Sequence, residues 1–160
     1  MFKALTKQHH KNLLPLLRKY IPQDAVIIDV GAHAGQFMKL FSRLAKNGRV
    51  YAFEPGRYAH SIAQAVTALH RLKNVSLFRV GLGDCPSEQI LRVPVKSSGS
   101  LGFGLSHIGG AAAGKMREEK IVITTLDRFA ATHELKKIDF IKADIEGWEM
   151  RLLLGAQEII

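Results

Sequence analysis

The feature that most constrains the fold is a short apolar run at residues 26–30, Val-Ile-Ile-Asp-Val, which leads directly into a turn from Gly31 to Gly35. An apolar run with little polar alternation is typical of a strand that is covered on both faces of a parallel sheet. The two glycines let the backbone turn sharply and let a ligand approach closely. Apolar residues then recur at helical spacing through residues 35–46. The segment therefore predicts a strand, a tight turn and a helix.

The same alternation continues along the chain. Residues 49–54 and 75–80 are typical of strands, and residues 58–72 between them predict a helix. Each crossover is long enough for a helix, so these strands are expected to be parallel with right-handed connections. A fourth core strand is predicted at 138–143, followed by a helix from Glu146 to the last residue. This order predicts an α/β fold, Rossmann-like and doubly wound, with a mostly parallel sheet.

The middle of the chain departs from this alternation. Residues 89–95 predict a short edge strand, because Pro94 lacks the N–H group that a central strand needs. Residues 96–119 are rich in serine and glycine and predict a long loop or insertion of the kind that often acts as a lid. Residues 120–124 are expected to pair back as a strand, and a short helix is predicted from Asp127 to about residue 134.

The ends of the chain predict a two-part organisation. Residues 1–22 are expected to form a basic arm and a short helix that Asn12 caps and that tolerates Pro15 in its first turn. Residues 23–160 are expected to form the α/β domain. Ile160 falls at an apolar position of the predicted last helix, with no cap after it. We therefore expect a fragment of a longer protein, in which the domain is incomplete and its C-terminal strands are missing.

Composition narrows the class of partner. The chain of 160 residues carries 23 Lys and Arg against 14 Asp and Glu, a formal charge of +9 that favours an anionic partner. Much of this charge lies in the first 20 residues, where a solvated basic face explains it as well. No apolar run approaches the roughly 18 residues of a membrane span. Cys85 is the single cysteine, which excludes an internal disulfide. We expect a cytoplasmic protein without a membrane span.

The glycine turn also carries the first candidate site. Asp29 lies two residues before Gly31, and the spacing to Gly35 is G-x-x-x-G, whereas a nicotinamide site has G-x-G-x-x-G. S-adenosylmethionine (SAM) has an ammonium group that favours a nearby carboxylate, and it has no pyrophosphate to anchor. The motif therefore favours SAM over a nucleotide cofactor, with a plain turn and a buried Asp29 as the remaining alternative.

Two further acids are expected at the ends of the next strands. Glu54, the last residue of the second predicted strand, can accept hydrogen bonds from both hydroxyls of a ribose. Asp84 follows Gly83 beyond the third strand and can accept one from an adenine amino group. Ligands of open α/β sheets bind at the carboxyl ends of the strands, so Asp29, Glu54 and Asp84 are expected at one edge. Each acid alone also fits an ordinary turn.

A dense group of acids follows the fourth predicted strand. Asp144 is expected at the strand's end beside the first strand, so Asp144 and Glu146 would lie near a transferable methyl group. Glu146 and Glu149 equally favour a helix N-terminus through the helix dipole. The three acids also offer oxygen ligands for a divalent ion, but nothing resembles a zinc site, and we predict no metal.

Four motifs together resemble the FkbM family of SAM-dependent methyltransferases. They lie at residues 28–35, 52–55, 125–127 (Thr-Leu-Asp) and 142–149 (Lys-Ala-Asp-Ile-Glu-Gly-Trp-Glu), and the last two are the most specific. The resemblance covers roughly residues 26–157. It implies a class I methyltransferase fold and O-methylation of a hydroxyl on a sugar or a natural product.

The resemblance also implies roles for individual residues. Asp144 and Glu146 would face the methyl group and the acceptor. His33 stands where members of the family more often carry Asn. The residues expected to bind SAM are Asp29, Gly31, Ala32, Gly35, Glu54, Pro55, Gly83 and Asp84.

Three functions stay open at this point. The first is O-methylation of a small-molecule or glycan hydroxyl, with Asp144 or Glu146 as general base and His107 as a second candidate. The second is a nucleic-acid methyltransferase, suggested by the charge of +9. The Asn/Asp-Pro-Pro-aromatic motif of base-amine methylation is absent, which disfavours it. The third is a non-catalytic module whose exposed sheet edge allows a homo-oligomer.

Overall fold

The computed structural model describes residues 8–95, 107–108 and 115–160. In chain order the strands are β1 (Val26–Val30), β2 (Arg49–Phe53), β3 (Val75–Phe78), β4 (Gly81–Leu82), β5 (Ser87–Pro94), β6 (His107–Ile108), β7 (Met116–Thr124) and β8 (Phe140–Ala143). The helices are α1 (Leu14–Tyr20), α2 (Gln36–Leu44), α3 (Arg57–Leu69), α4 (Leu126–Thr132) and α5 (Glu149–Leu154). A 3₁₀ turn (Lys11–Leu13) precedes α1. None of these helices is long and apolar enough to cross a bilayer.

A four-stranded sheet in the order β3-β2-β1-β8 forms the centre of the fold, and all its pairings are parallel. Successive residues of β1 face opposite sides: Ile27 packs with Phe41 of α2, whereas Ile28 packs with Leu126 and Leu152 of α4 and α5. Helices therefore cover both faces, which explains why β1 is apolar nearly throughout. The predicted fold class is confirmed.

A second sheet in the order β4-β7-β5-β6 was not predicted. β5 pairs antiparallel with both β7 and β6, so the expectation of an edge strand at residues 89–95 is wrong. Pro94 is tolerated because it is the last residue of β5, beyond the reach of β6, which pairs only with Leu91 and Arg92.

The predicted bounds of the loop at residues 96–119 are too wide. Its last residues, from Met116, already belong to β7, and residues 107–108 form β6. The other parts of the predicted lid, 96–106 and 109–114, lie outside the described residues, as does the beginning of the basic arm at residues 1–7.

Two predicted helix ends are wrong. Asn12 does not cap the first helix: it lies inside the 3₁₀ turn, and the residue before α1 is Leu13, while Pro15 does lie in the first turn of α1. The last helix does not continue to Ile160, because α5 ends at Leu154 and Gly155 follows it. A Cβ atom at Gly155 would overlap the carbonyl oxygen of Gly83, so this close contact requires glycine.

Candidate active site

A cavity of about 530 Å³ opens at the carboxyl edge of the parallel sheet. The turns after β1, β2 and β8 line one side, and the second sheet lines the other. The volume falls in the range of roughly 300–1,000 Å³ that small-molecule sites occupy. The location is the one at which open α/β sheets bind their ligands.

The turn after β1 forms the floor of this cavity. Gly31 and Gly35 have φ angles of 71° and 76°, a region that glycine adopts without steric cost. A Cβ atom at Gly31 would overlap the carbonyl oxygen of Asp144. The backbone N–H groups of Gly31 and Ala32 both donate to the carbonyl of Phe53, at 3.0 Å each. The turns after β1, β2 and β8 are therefore held directly against one another.

His33 lies in the same turn with φ 49°. His, Asn and Asp adopt this left-handed region more readily than other side chains do. The difference from Asn noted in the sequence is therefore compatible with the backbone found here.

Asp29 is fully buried and pairs with a lysine that the sequence analysis did not single out. The Nζ atom of Lys142 lies 3.4 Å from Oδ1 of Asp29 and donates to the carbonyls of Val30 and Gly31 at 3.1 and 2.8 Å. Among the described residues, no group donates a hydrogen bond to either carboxylate oxygen of Asp29. Burial raises the pKa of Asp29 to about 6, although the positive charge of Lys142 opposes this shift.

The register of β1 and β8 explains this pair, since Asp29 lies directly opposite Lys142. Lys142 lines the cavity, whereas Asp29 lies behind it. A lysine near the end of one predicted core strand, with an acid near the end of the adjacent one, was the available sequence signal. The ammonium group that Asp29 faces in this structure is that of Lys142, and the contact of Asp29 with the ammonium group of SAM stays a prediction.

Glu54 lies directly after β2, one residue beyond the strand, and is 8% exposed. Its Oε2 atom accepts from the backbone N–H of His33 and its Oε1 atom from that of Gly56, both at 2.9 Å. Burial raises the pKa of Glu54 to about 7, against the lowering effect of these two hydrogen bonds. Each oxygen keeps a further lone pair with which it can accept from a ligand hydroxyl.

Asp84 is not at the edge where it was expected. Gly83 and Asp84 follow β4, which pairs with β7 in the second sheet, because the chain leaves the parallel sheet after Phe78. The Asp84 carboxylate instead forms an ion pair with Arg151 at 2.9 Å. Desolvation raises the pKa of Asp84, but the hydrogen bond and the positive charge of Arg151 outweigh this effect and lower that pKa. The contact with adenine therefore stays a prediction without support from this geometry.

The turn after β8 brings two of its three acids to the cavity. Asp144 and Glu146 are exposed and line it. Glu149 instead accepts a hydrogen bond from the backbone N–H of Ile145 at 3.1 Å, as an acid at a helix N-terminus does. In the part of the chain that the structure describes, no three His, Cys, Asp or Glu side chains form a metal-binding group.

The opposite wall belongs to the second sheet and was missed by the sequence analysis. Leu91, Val93 and Ile108 give it an apolar surface. Glu119 of β7 accepts from the backbone N–H of Arg57, at 3.0 and 3.2 Å, and so joins this sheet to the start of α3. The side chain of His107, the second candidate base, lies outside the described residues.

Some of the predicted site residues therefore line the cavity, and others do not. Those that line it are Gly31, Ala32, Glu54, Pro55, Asp144 and Glu146. Those that do not are Asp29 and Gly35, which lie in or beside the turn after β1, and Gly83 and Asp84, which follow β4.

Comparison with known proteins gives a family for this arrangement. The family profile of the methyltransferase FkbM domain matches residues 29–160. Methyltransferase 1 of Beauveria bassiana is 25% identical over 150 residues, a match that covers 86% of this chain and 60% of that protein. The AMB antimetabolite synthetase AmbE of Pseudomonas aeruginosa is 26% identical over 168 residues, covering 86% of this chain and 8% of that protein.

A solved structure agrees with the fold. The crystal structure of methyltransferase FkbM from Methylobacillus flagellatus superposes with a TM-score of 0.61 at 21% identity. The match covers 98% of this chain and 34% of that one. This chain thus spans only part of the length of each of these relatives.

Proposed function

The chain belongs to the FkbM methyltransferase family, and on this premise we propose that it uses SAM to methylate a hydroxyl group on a sugar or a natural-product small molecule. The observation that carries the proposal is the cavity of about 530 Å³, which joins the glycine turn and Glu54 to Asp144 and Glu146. One set of groups suits the cofactor, and the other suits the acceptor.

The residues present fit SAM. Gly31 and Ala32 line the cavity, and the small residues of this turn let a ligand approach the backbone closely. Glu54 presents a buried carboxylate at the cavity wall, where it can accept from the hydroxyls of a ribose. SAM supplies the methyl group on a sulfonium, which is a good leaving group.

The residues of the chain would contribute mainly by position. Lys142, fixed by Asp29 and two backbone carbonyls, holds the turn after β1 in one shape and adds a positive charge to the cavity. The apolar wall of Leu91 and Val93 would exclude water from the acceptor. Placing an acceptor oxygen in line at near-attack distance accounts for a large part of such a rate enhancement.

A hydroxyl is a weak nucleophile at neutral pH, so the reaction gains from a general base. Asp144 and Glu146 are the carboxylates of the β8 turn that face the cavity, and we assign this role to one of them. The acceptor class draws support from the cavity's size and apolar wall. The relative AmbE of Pseudomonas aeruginosa is named an antimetabolite synthetase, which supports a small-molecule acceptor.

The first experiment measures cofactor binding by calorimetry with S-adenosylhomocysteine, and with NAD as the control ligand. Saturable binding of S-adenosylhomocysteine alone is expected, with a loss in Glu54→Ala. Binding of NAD alone would overturn the proposal.

The second experiment tests the acceptor side. Turnover is measured with SAM and a panel of hydroxylated sugars and small molecules, and the site of methylation is read by mass spectrometry. Asp144→Asn or Glu146→Gln is expected to lower kcat by about 10²–10⁴-fold while S-adenosylhomocysteine still binds. Glu158→Gln, an exposed acid outside the cavity, is the matched control. Full turnover in both variants would exclude these two carboxylates as the base.

A further inference from the structure

A second cavity of about 330 Å³ lies at the opposite, amino edge of the parallel sheet, where α2 and α3 end. Five cationic side chains line it, and no acidic residue does so within the described part of the chain. They are Lys39, Arg43, Lys46, Arg71 and Lys73. None of them belongs to the site described above.

Two segments of the chain build this basic cavity. Lys39 and Arg43 are four residues apart on α2 and share one face of the helix, and Lys46 follows just beyond its end. Arg71 and Lys73 come from the connection between α3 and β3.

Asn74 fixes the two segments to each other. Its Nδ2 atom donates to the carbonyls of Ser42 and Ala45 at 3.1 and 2.8 Å, and its Oδ1 atom accepts from the Ser42 hydroxyl at 2.6 Å. These hydrogen bonds hold the two segments that carry the cationic side chains in a fixed position relative to each other.

The ordinary explanation for such residues is that cations stabilise the negative ends of helices. Two helix ends supply about −0.5 charge each, so five cations leave an excess of about +4. An uncharged side chain also satisfies carbonyl groups at the end of α2, because Asn74 donates to the carbonyls of Ser42 and Ala45. Stabilisation of helix ends therefore accounts for only part of this charge.

Burial and neighbouring positive charge both act on Lys39, one of these five cations. It is only 2% exposed, and burial together with the positive charge of Arg43 lowers its pKa.

We propose that the basic cavity binds a small phosphate-bearing anion with at least two negative charges. The positive charge of the lining indicates an anionic ligand. Its ammonium and guanidinium groups bind phosphate oxygens through charge-assisted hydrogen bonds. Size selects a small molecule, since 330 Å³ is near the lower end of ligand cavities. No Phe, Tyr or Trp lines this cavity in the described residues, so the stacking surface that single-stranded nucleic acid uses is missing there.

The test uses the whole chain and inorganic pyrophosphate as the probe, titrated by calorimetry at constant ionic strength. Saturable binding is expected, with weaker binding of inorganic phosphate. The variant Arg43→Gln/Lys73→Gln, at two exposed positions, should weaken pyrophosphate binding at least tenfold. The control variant Arg18→Gln/Lys19→Gln removes one arginine and one lysine from exposed positions outside the basic cavity. It should change the affinity for pyrophosphate less than twofold. A second variant, Lys46→Glu, should abolish binding by reversing one charge.

Three results would overturn the proposal. The first is the absence of saturable heat with the wild-type chain. The second is an equal loss in both double variants, which would indicate a nonspecific effect of net charge. The third is a single-stranded RNA oligonucleotide that binds more tightly than pyrophosphate and depends on the same residues, since that would replace a small anion with nucleic acid as the ligand.

Discussion

Gly31 is constrained for two separate reasons. Its φ angle of 71° disfavours any side chain, and a Cβ atom would overlap the carbonyl oxygen of Asp144. Gly31→Ala is therefore expected to lower the free energy of unfolding by about 2–4 kcal/mol, measured by urea denaturation. Gly147→Ala separates the two causes, because Gly147 has φ 90° but no atom within 4 Å of its Cβ position. That control should lose about 1–2 kcal/mol. Equal losses would mean that the contact with Asp144 contributes nothing.

Glu54 makes cofactor binding sensitive to pH. Burial raises its pKa to about 7, and the ionised carboxylate is the form that accepts hydrogen bonds from two hydroxyls. The affinity for S-adenosylhomocysteine is therefore expected to rise between pH 6 and pH 8, measured by calorimetry. Glu54→Gln should bind more weakly and with a flatter pH profile. A wild-type affinity that falls over this range would contradict the assignment of Glu54 to the ribose.

The same carboxyl group affects stability in the opposite direction. The folded chain keeps the Glu54 proton up to about pH 7, whereas the unfolded chain releases it near the ordinary value of 4.5. The folded state therefore binds more protons in this window, and this group's contribution to stability falls as pH rises from 4.5 to 7. Urea midpoints at pH 5 and pH 8 should show a steeper fall in the wild type than in Glu54→Gln. Other groups titrate in the same window, so the difference between the two proteins carries the prediction.

At the scale of helices and strands, local patterns predicted what local forces determine. β1, β2, β3 and β8, with helices α2 and α3, follow from apolar periodicity and glycine turns, because each buries a continuous apolar face against the others. The second sheet could not be predicted in this way. β4 and β6 have two residues each and exist only through partners far along the chain.

The errors in the candidate site have the same origin. Asp84 was assigned to the parallel sheet because the sequence does not show that the chain changes sheets after Phe78. Lys142 was overlooked because its importance depends on its register opposite Asp29. Glu54, Asp144 and Glu146 line the cavity, and each follows a strand that could be recognised from its own residues, whereas their roles stay predictions.

The Thr-Leu-Asp motif at residues 125–127 has a structural role at α4 and at the turn after α5. Thr125 accepts from the backbone N–H of Arg128 at 3.0 Å and caps α4. Asp127 accepts from the backbone N–H groups of Glu158 and Ile159 at 3.1 and 3.0 Å, and so fastens the turn after α5.

These contacts predict different effects for the two polar residues of the motif. Thr125→Ala should cost about 1 kcal/mol through the lost cap. Asp127→Ala should cost about 1–3 kcal/mol and speed amide hydrogen exchange at Glu158 and Ile159, because both N–H groups lose their partner. Thr125→Ala is the control that should leave exchange at these two amides unchanged. Unchanged exchange in Asp127→Ala would show that the turn is held by its packing alone.

At the scale of the whole molecule, the cavity lies between two sheets that face each other. The parallel sheet packs around Ile28, Val30 and Phe53, and Leu82 of β4 joins this cluster. The rest of the second sheet has its own cluster of Leu91, Val93, Ile121 and Ile123. The cofactor side of the proposed site belongs to the first sheet, and the apolar wall belongs to the second. The contacts that join the sheets therefore control the shape of the space between them.

Glu119 is such a contact, since its carboxylate accepts from the backbone N–H of Arg57 at the start of α3. Glu119→Ala should cost about 1–2 kcal/mol, because it removes an acid from a helix N-terminus. Amide hydrogen exchange in β5 and β7 should also become faster, since the second sheet loses an attachment to the first. The matched control is Glu118→Ala, whose carboxylate pairs with Arg92 at 3.0 Å within the second sheet. That exposed pair is worth at most about 1 kcal/mol, and its loss leaves the attachment between the sheets intact. Equal acceleration of exchange in both variants would show that the second sheet is held by its own pairing, and that the cavity does not depend on Glu119.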